Sequence, residues 1–341
     1  MIKKNILIID SSAVVRRYLL KLLSECGYEV DSSKNTTQAL EMIKNKHYSL
    51  ILLDIEPLES GLVFLKKLMQ EKASRVLVLT SVDDESITFE ALQIGAIDVI
   101  KKPSNPLDIA TISNEIIKKV KHSLLYKSSK LKEELIPFKD YNVEVDSSLD
   151  MGFVLVGAST GGPRLIEKIC KTLPKDYPHC VCIVQHMPVE FTANFAKRLN
   201  SISQIEVLEA KNDIELKKSR VIIAKGGYHL HFKKKLNSYA IRLASNINNR
   251  FFIPSVDEMF FSANEVLPAK KILAVELTGI GDDGADGMVA LRKSGAYTIA
   301  ESEKSAVVYG MPKEAYERGG AMKVLDFNDI LEEILKYEPK N

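Results

Sequence analysis

Three short turns of this sequence contain the residue types that acyl transfer requires. Ser159 lies between glycines, His186 ends an apolar run, and Asp282 and Asp283 lie side by side in a third, glycine-bounded turn. A serine becomes a nucleophile when a neighbouring imidazole accepts its proton and a carboxylate orients that imidazole. The turns therefore predict a serine hydrolase with Ser159 as nucleophile, His186 as general base and one of the two aspartates as the orienting carboxylate.

The turn around Ser159 is by itself compatible with two kinds of site. Its order, Gly157-Ala-Ser-Thr-Gly161, fits the G-x-S-x-G elbow of serine hydrolases. A glycine-rich turn between a strand and a helix also binds phosphate groups through its free backbone amides. The histidine and the aspartates in the other two turns favour the hydrolase.

The three turns follow apolar runs that have the length of buried strands. These runs are residues 153–156, 180–184 and 272–276, and amphipathic helical patterns follow the first and the third. Strands of this kind, alternating with helices, are typical of a parallel sheet that is covered on both faces. Because the carboxyl ends of parallel strands share one edge, we expect the three turns to meet there.

A second group of polar residues lies at the ends of apolar runs in the first part of the chain. The runs 6–9, 50–53, 76–79 and 97–100 are followed at once or after one residue by Asp10, Asp54, Thr80 and Lys102, respectively. Two carboxylates, a hydroxyl and an ammonium at one sheet edge can hold a hard cation and a phosphoryl group. The first part of the chain is therefore predicted to be a second parallel-sheet domain.

Length and composition agree with two α/β domains, each a doubly wound parallel sheet. The 341 residues divide into a first domain at 1–122, a polar linker at 123–150 and a second domain at 151–338. A formal net charge of +2 does not indicate a nucleic-acid partner, and no apolar run approaches the length of a membrane span. We read the four cysteines as reduced thiols, which predicts a cytoplasmic protein.

The first domain resembles a response-regulator receiver domain, which has a flavodoxin-like fold. The resemblance places Asp54 at the phospho-acceptor position, and Thr80 and Lys102 at the switch hydroxyl and the conserved lysine. It also implies a Mg²⁺ site that uses Asp10 and Asp54. Where receivers have a second acidic residue after the first strand, this chain has Ser11, so Mg²⁺ is expected to bind more weakly. Glu56 is the predicted third ligand, with Glu59 as the alternative. The alternative to phosphorylation at Asp54 is a degenerate receiver that serves as a cover or docking module.

The second domain resembles the catalytic domain of the chemotaxis protein-glutamate methylesterase family, a Rossmann-like serine esterase. The resemblance lies in five segments: Gly157–Pro163, Gln185–Pro188, Pro254–Asp257, Leu277–Gly284 and Val308–Pro312. It implies that Ser159 is the nucleophile, His186 the base and Asp283 the orienting carboxylate. Thr160 and the backbone of Ile280 are the expected oxyanion donors.

The resemblance implies hydrolysis of glutamate γ-methyl esters on chemoreceptors, with release of methanol, and deamidation of receptor glutamines. Phosphorylation of the receiver by a chemotaxis histidine kinase would control access to the esterase site. We expect a cytoplasmic monomer that needs no cofactor for catalysis, binds no nucleic acid and does not insert into membranes. The alternatives are a serine hydrolase of another ester or amide and a non-catalytic regulator that binds receptor or kinase.

Overall fold

A computed structural model describes residues 4–71, 74–81, 85–124, 146, 148–187, 189–246 and 250–340. The chain divides into two compact units, Met1–Pro137 and Phe138–Asn341. Of the linker predicted at 123–150, residues 125–145 and 147 lie outside the described residues, so its extent stays a prediction. Within the described residues, every helix is too short or too polar to span a lipid bilayer.

Among its described residues, the first unit contains five strands and five α-helices. The strands are β1 (Asn5–Ile9), β2 (Glu29–Ser33), β3 (Leu50–Asp54), β4 (Val76–Thr80) and β5 (Asp98–Lys101). The helices are α1 (Ala13–Glu25), α2 (Thr36–Asn45), α3 (Leu58–Glu71), α4 (Glu85–Ile94) and α5 (Ser113–Ser123), with a 3₁₀ turn at Pro106–Ile112.

The five strands form a parallel sheet in the order β2-β1-β3-β4-β5. The central strands β3 and β4 are buried along their whole length, which explains why both appear in the sequence as continuous apolar runs. Helix α1 packs on the sheet through Val15, Leu19 and Leu23, one residue per turn. The predicted doubly wound α/β fold of this unit is confirmed.

In the part that the structure describes, the second unit contains nine strands and six α-helices. The strands are β6 (Phe153–Ala158), β7 (Cys180–Gln185), β8 (Glu206–Glu209), β9 (Arg220–Ile223), β10 (His229–Lys234), β11 (Tyr239–Ala244), β12 (Ile272–Glu276), β13 (Tyr297–Glu301) and β14 (Lys323–Leu325). The helices are α6 (Gly162–Thr172), α7 (Thr192–Ile202), α8 (Val256–Val266), α9 (Ala285–Lys293), α10 (Met311–Glu317) and α11 (Phe327–Leu335), with 3₁₀ turns at Val189–Phe191 and Ala269–Lys271.

Seven of these strands form a parallel sheet in the order β14-β13-β12-β6-β7-β9-β8. The chain enters the sheet at its centre with β6 and adds β7 beside it. It then forms the edge strand β8, places β9 between β7 and β8, and returns to the other side of β6 with β12. The strand order therefore reverses between β6 and β12, where open α/β sheets form their ligand-binding crevice. Strands β10 and β11 form a separate antiparallel hairpin.

Candidate active site

The turn between β6 and α6 ends the central strand and presents Ser159. The Ser159 backbone N–H donates to the Thr278 carbonyl at 3.0 Å, and the Gly162 N–H donates back to the Ser159 carbonyl at 2.9 Å. Gly161 has φ +84°, and a Cβ at this position would lie 2.5 Å from Cβ of Val307. The reversal therefore needs glycine, both for its backbone angle and for lack of space.

His186 directly follows β7, the neighbour of β6. Its backbone N–H donates to the Ala158 carbonyl at 2.9 Å, which places it beside the Ser159 turn. Its Nε2 lies 2.8 Å from Oδ2 of Asp283, and its ring is stacked on Phe252 with centroids 3.9 Å apart. Nδ1 of His186 is buried and has no hydrogen-bond partner among the described residues. Because Nε2 is committed to Asp283, Nδ1 is the nitrogen that remains to accept a proton.

Gln185 joins the two turns that carry Ser159 and His186. Its Nε2 donates to the Ser159 carbonyl at 2.8 Å and to the His186 carbonyl at 2.9 Å. The side chain is buried, so both bonds lie in a region of low dielectric where they are strong. Gln185 thus fixes the spacing between the backbones of the predicted nucleophile and base.

Asp283 receives hydrogen bonds from the start of α8 as well as from His186. Its Oδ1 accepts from the Ser255 hydroxyl at 2.7 Å and from the Asp257 N–H at 3.1 Å, and its Oδ2 accepts from the Val256 N–H at 2.8 Å. Burial disfavours the ionised form, but the bond and charge of His186, together with these donors, lower the pKa of Asp283 to about 2. Asp283 is therefore an ionised acceptor for the imidazole.

The neighbouring Asp282 has a different environment. Its side chain is 62% exposed and accepts a hydrogen bond from Arg318 Nη2 at 2.5 Å. Arg318 also pairs with Asp286 and Glu314, so Asp282 belongs to a surface ion cluster. The structure brings Asp283 to His186 and leaves Asp282 at the surface.

The predicted oxyanion donors lie close to Ser159. Gly279, which precedes Ile280, packs so tightly that a Cβ on it would lie 2.9 Å from Cβ of Ser159. Thr160 is buried, and its carbonyl accepts from the Thr278 hydroxyl at 2.8 Å. Thr160 and Gly279 therefore lie next to Ser159, and Ile280 directly follows Gly279 in the chain. The role of Thr160 and of the Ile280 backbone as oxyanion donors stays a prediction.

The first unit also gathers most of its predicted residues at one sheet edge. Lys102 Nζ lies 2.8 Å from Oδ2 of Asp54 and 3.4 Å from Oδ2 of Asp10, and all three side chains are buried. Burial and the charge of Asp10 raise the pKa of Asp54 to about 6, although Lys102 opposes this shift. Three of the four polar residues named from the sequence, Asp10, Asp54 and Lys102, thus do meet.

Glu56 does not join this cluster as the predicted third metal ligand. Its Oε1 accepts from the Ser81 N–H at 2.5 Å, from the Ser81 hydroxyl at 2.8 Å and from the Thr80 hydroxyl at 3.3 Å. Among the described residues, no group of three acidic, histidine or cysteine side chains is arranged to hold a metal ion. The arrangement therefore does not fit Mg²⁺ held by Asp10, Asp54 and Glu56. Thr80 and Ser81, at the end of β4, bind the Glu56 carboxylate, and the Lys102 ammonium lies between the carboxylates of Asp10 and Asp54. The Glu59 side chain lies outside the described residues.

Both units of the chain match known families. Residues 154–334, more than half of the chain, match the CheB methylesterase family model, and residues 6–114 match the response regulator receiver domain. The chain belongs to the CheB methylesterase family.

Relatives of this CheB-family chain align with it over almost its whole length. It is 37% identical to a protein-glutamate methylesterase/protein-glutamine glutaminase of Carboxydothermus hydrogenoformans, with 98% of this chain and 99% of the relative covered. The protein of the same name from Archaeoglobus fulgidus is also 37% identical, with 98% and 97% covered. The crystal structure of the Thermotoga maritima CheB methylesterase catalytic domain matches with 37% identity and a TM-score of 0.52, covering 55% of this chain and 98% of that one.

The structure of this CheB-family chain adds residues to the site to which the sequence assigned no role. Phe252 stacks on the His186 ring, and Ser255 and Val256 hold Asp283. Ser255 is the N-cap of α8 and is followed three residues later by Glu258, a capping-box spacing that marks a helix start in sequence. That signal locates the helix, but the direction in which its amides point depends on the fold.

Glu276 is a buried carboxyl directly below the site of this CheB-family chain. It is the last residue of β12, and neither of its oxygens has a hydrogen-bond partner among the described residues. Its carboxyl lies between two glycines of the site turns, since a Cβ on Gly157 would lie 2.8 Å from Oε1 and one on Gly284 would lie 2.2 Å from Oε2. Complete burial and the nearby charges of Asp283 and Asp257 raise the pKa of Glu276 well above its usual value, which favours its protonated form.

We expect Glu276→Met to stabilise the catalytic unit at pH 8 by about 2 kcal/mol, because methionine fills the same space without an unsatisfied polar group. The folded state binds this proton more tightly than the unfolded state. The stability that this proton binding contributes is therefore fully present below pH 4.5 and is lost as the pH rises towards the raised pKa of Glu276. Hydrogen exchange of the β6 and β12 peptides at pH 5 and pH 8 measures the difference. A gain of equal size at both pH values would contradict the protonation argument, and exposed Glu265→Met is the control.

Proposed function

We propose that this chain hydrolyses glutamate γ-methyl esters on chemoreceptors and deamidates receptor glutamines, with Ser159, His186 and Asp283 as its catalytic residues. The observation that carries the proposal is the 2.8 Å contact between His186 Nε2 and Asp283, which leaves the buried Nδ1 of His186 as the proton acceptor. The names of relatives that align over almost the whole chain, protein-glutamate methylesterase/protein-glutamine glutaminase, support the choice of substrate.

In the proposed reaction, Oγ of Ser159 attacks the ester carbonyl carbon while its proton passes to Nδ1 of His186. The negative charge that develops on the carbonyl oxygen is stabilised by the backbone of Ile280 and by Thr160. The C–O bond to methanol then breaks, and the leaving oxygen takes the proton from His186. Water repeats the sequence on the acyl-enzyme and releases the glutamate. With a glutamine substrate, ammonia leaves in place of methanol. Apart from the ester and this water, the proposed steps use side chains and backbone groups of this chain.

The same proposal assigns Asp54 as the phospho-acceptor and a chemotaxis histidine kinase as the phosphodonor in the cytoplasm. The buried carboxylate of Asp54 is paired with Lys102, a cation suited to neutralising a phosphoryl group. Phosphorylation would stabilise the state in which substrate can reach Ser159. The shift in the equilibrium equals the difference in free energy by which phosphorylation favours that state over the inaccessible one. Because the residues around Asp54 do not fit the three-carboxylate Mg²⁺ site, no step of the proposal depends on that ion.

The experiment that tests the esterase proposal measures methanol release from membranes that carry methylated chemoreceptors. We expect the wild-type chain to release methanol, and stoichiometric labelling by a fluorophosphonate, which reacts with activated serines, to stop the release. Release that continues after complete labelling would contradict a serine mechanism. Hydrolysis of model esters without methanol release from receptors would indicate another substrate. Acetyl phosphate should stimulate the wild-type chain and leave Asp54→Asn unchanged if the regulatory assignment is correct.

A further inference from the structure

Three large apolar side chains are exposed around the proposed catalytic histidine. They are Val189, Tyr228 and Phe251, whose exposed fractions are 54%, 41% and 70%. Each belongs to a different connection: Val189 follows the His186 turn, Tyr228 precedes β10, and Phe251 precedes α8. We call these three residues the apolar rim.

The described contacts connect the rim residues to one another and to the site. Val189 packs against the glycine pair before Tyr228, since a Cβ on Gly226 would lie 2.5 Å from its Cα. The Gly227 N–H donates to the Ile253 carbonyl at 3.3 Å, which ties the Tyr228 loop to the Phe251 loop. The Phe251 ring meets Phe252 edge-on with centroids 4.9 Å apart, and Phe252 is stacked on His186. The rim is therefore continuous with the catalytic centre.

The structure holds the rim in place although its side chains face solvent. Arg250, which precedes Phe251, binds Glu258 at 3.0 Å and lies 3.6 Å from Asp257, both at the start of α8. The Gly226 N–H donates to the Thr192 hydroxyl at 3.0 Å, and that hydroxyl donates to Glu209 at 2.7 Å. Exposed apolar side chains on anchored loops beside a reactive centre are typical of an interaction surface.

The proposed substrate identifies the occupant of this surface. A glutamyl ester on a protein can reach Ser159 only if the surrounding protein surface settles against the rim of the site. Lys225 Nζ lies 5.5 Å from the Tyr228 ring centroid, so the rim has a cationic edge. The glutamyl ester itself is neutral, so this cation would be complemented by an unmodified carboxylate beside the ester in the substrate segment.

We propose that the apolar rim docks the substrate protein, by binding an acidic segment that exposes apolar side chains next to the glutamyl ester. This inference rests on the proposed function and deepens it, because it separates recognition of the receptor from the ester chemistry. The rim residues then determine KM for the protein substrate and leave the hydrolysis of small esters unaffected.

The test compares two substrates in the full-length chain: methylated receptor membranes and p-nitrophenyl acetate. We expect Tyr228→Ala combined with Phe251→Ala to raise KM for the receptor about tenfold with little change in kcat. The rate constant for p-nitrophenyl acetate should stay within twofold, which also shows that the variant is folded. Phe251→Tyr, which keeps the apolar ring, should retain the wild-type KM. The control is Leu236→Ala, which changes an exposed apolar residue between β10 and β11.

Three results would overturn the docking surface. The first two are an equal loss of rate on both substrates and an unchanged KM for the receptor. The third is a faster reaction on both substrates without a phosphodonor, which would make the rim a contact of the chain's own receiver unit. Failure of the proposed function has a different signature, because the wild-type chain itself would then release no methanol from receptors. That result would reject the rim as a receptor surface together with the function.

Discussion

Ser159→Ala will lower the rate of methanol release from methylated receptors by about 10⁴-fold or more, because it removes the only proposed nucleophile. The substitution deletes one hydroxyl oxygen and leaves the backbone bonds of the turn in place. The residual rate reflects the oxyanion donors and substrate binding alone. Single-turnover methanol release, measured with the enzyme in excess over receptor, gives the rate of the chemical step directly.

The matched control for this variant is Ser201→Ala. Ser201 is an exposed serine of α7 whose hydroxyl donates to the Arg198 carbonyl, and its removal should leave the rate within twofold. If Ser159→Ala and the wild-type chain release methanol at equal rates, Ser159 is not the nucleophile and the esterase mechanism is rejected. If both serine variants lose activity equally, the loss reflects folding.

Asp283→Asn will lower kcat by about 10⁴-fold, the size of effect that the same exchange has in serine proteases. Both oxygens of Asp283 accept hydrogen bonds, from Ser255 and Asp257 on one side and from His186 and Val256 on the other. An asparagine amide must direct N–H groups at one of these donor sets. When they face Nε2 of His186, the imidazole carries its proton on Nδ1, the nitrogen that must accept the serine proton.

The same exchange will also destabilise the catalytic unit by about 2 kcal/mol near neutral pH. The folded chain lowers the pKa of Asp283 from its usual 3.8 to about 2. The corresponding stability is therefore present above pH 3.8 and is lost as the pH falls towards 2. Hydrogen exchange of the α8 and α9 peptides measures this loss beside the kinetics.

Asp282→Asn provides the control, because it makes the same chemical change one residue away. Asp282 is exposed and pairs with Arg318, so its replacement should change kcat by less than twofold and stability by about 0.5 kcal/mol or less. If Asp282→Asn lowered kcat strongly and Asp283→Asn did not, the assignment of Asp283 as the orienting carboxylate would be wrong.

Most of the architecture could be predicted because buried parallel strands leave a strong pattern. Strands β3, β4, β6, β7 and β12 are buried throughout and were recognised as apolar runs. Strand β2 was not recognised, because it is an edge strand with the polar sequence EVDSS and only its last residue is buried. The antiparallel hairpin of β10 and β11 was also not predicted, since neither strand is a continuous apolar run and both mix buried with exposed positions.

The receiver site shows the limit of reasoning from residue type. Glu56 has the charge and the sequence position of a metal ligand, but its carboxylate binds the amide and hydroxyls at the end of β4. A carboxylate goes to the donors that reach it with the best geometry, and those donors belong to residues 24 and 25 positions further along the chain. Spacing in the sequence carries no information about that competition.

The sequence by itself determined the fold class, the family and the chemistry of this protein. The residue types at the predicted strand ends indicated Ser159 as nucleophile and His186 as base. They left two adjacent aspartates, Asp282 and Asp283, as candidates for the third member of the triad. Only the resemblance chose between those aspartates, and only the tertiary structure supplies the physical reason. The loop after β12 turns Asp283 towards the amides of α8 and leaves Asp282 at the surface. Two further features depend on segments that are distant in the sequence and meet in the fold. They are the complete burial of the Glu276 carboxyl and the apolar rim.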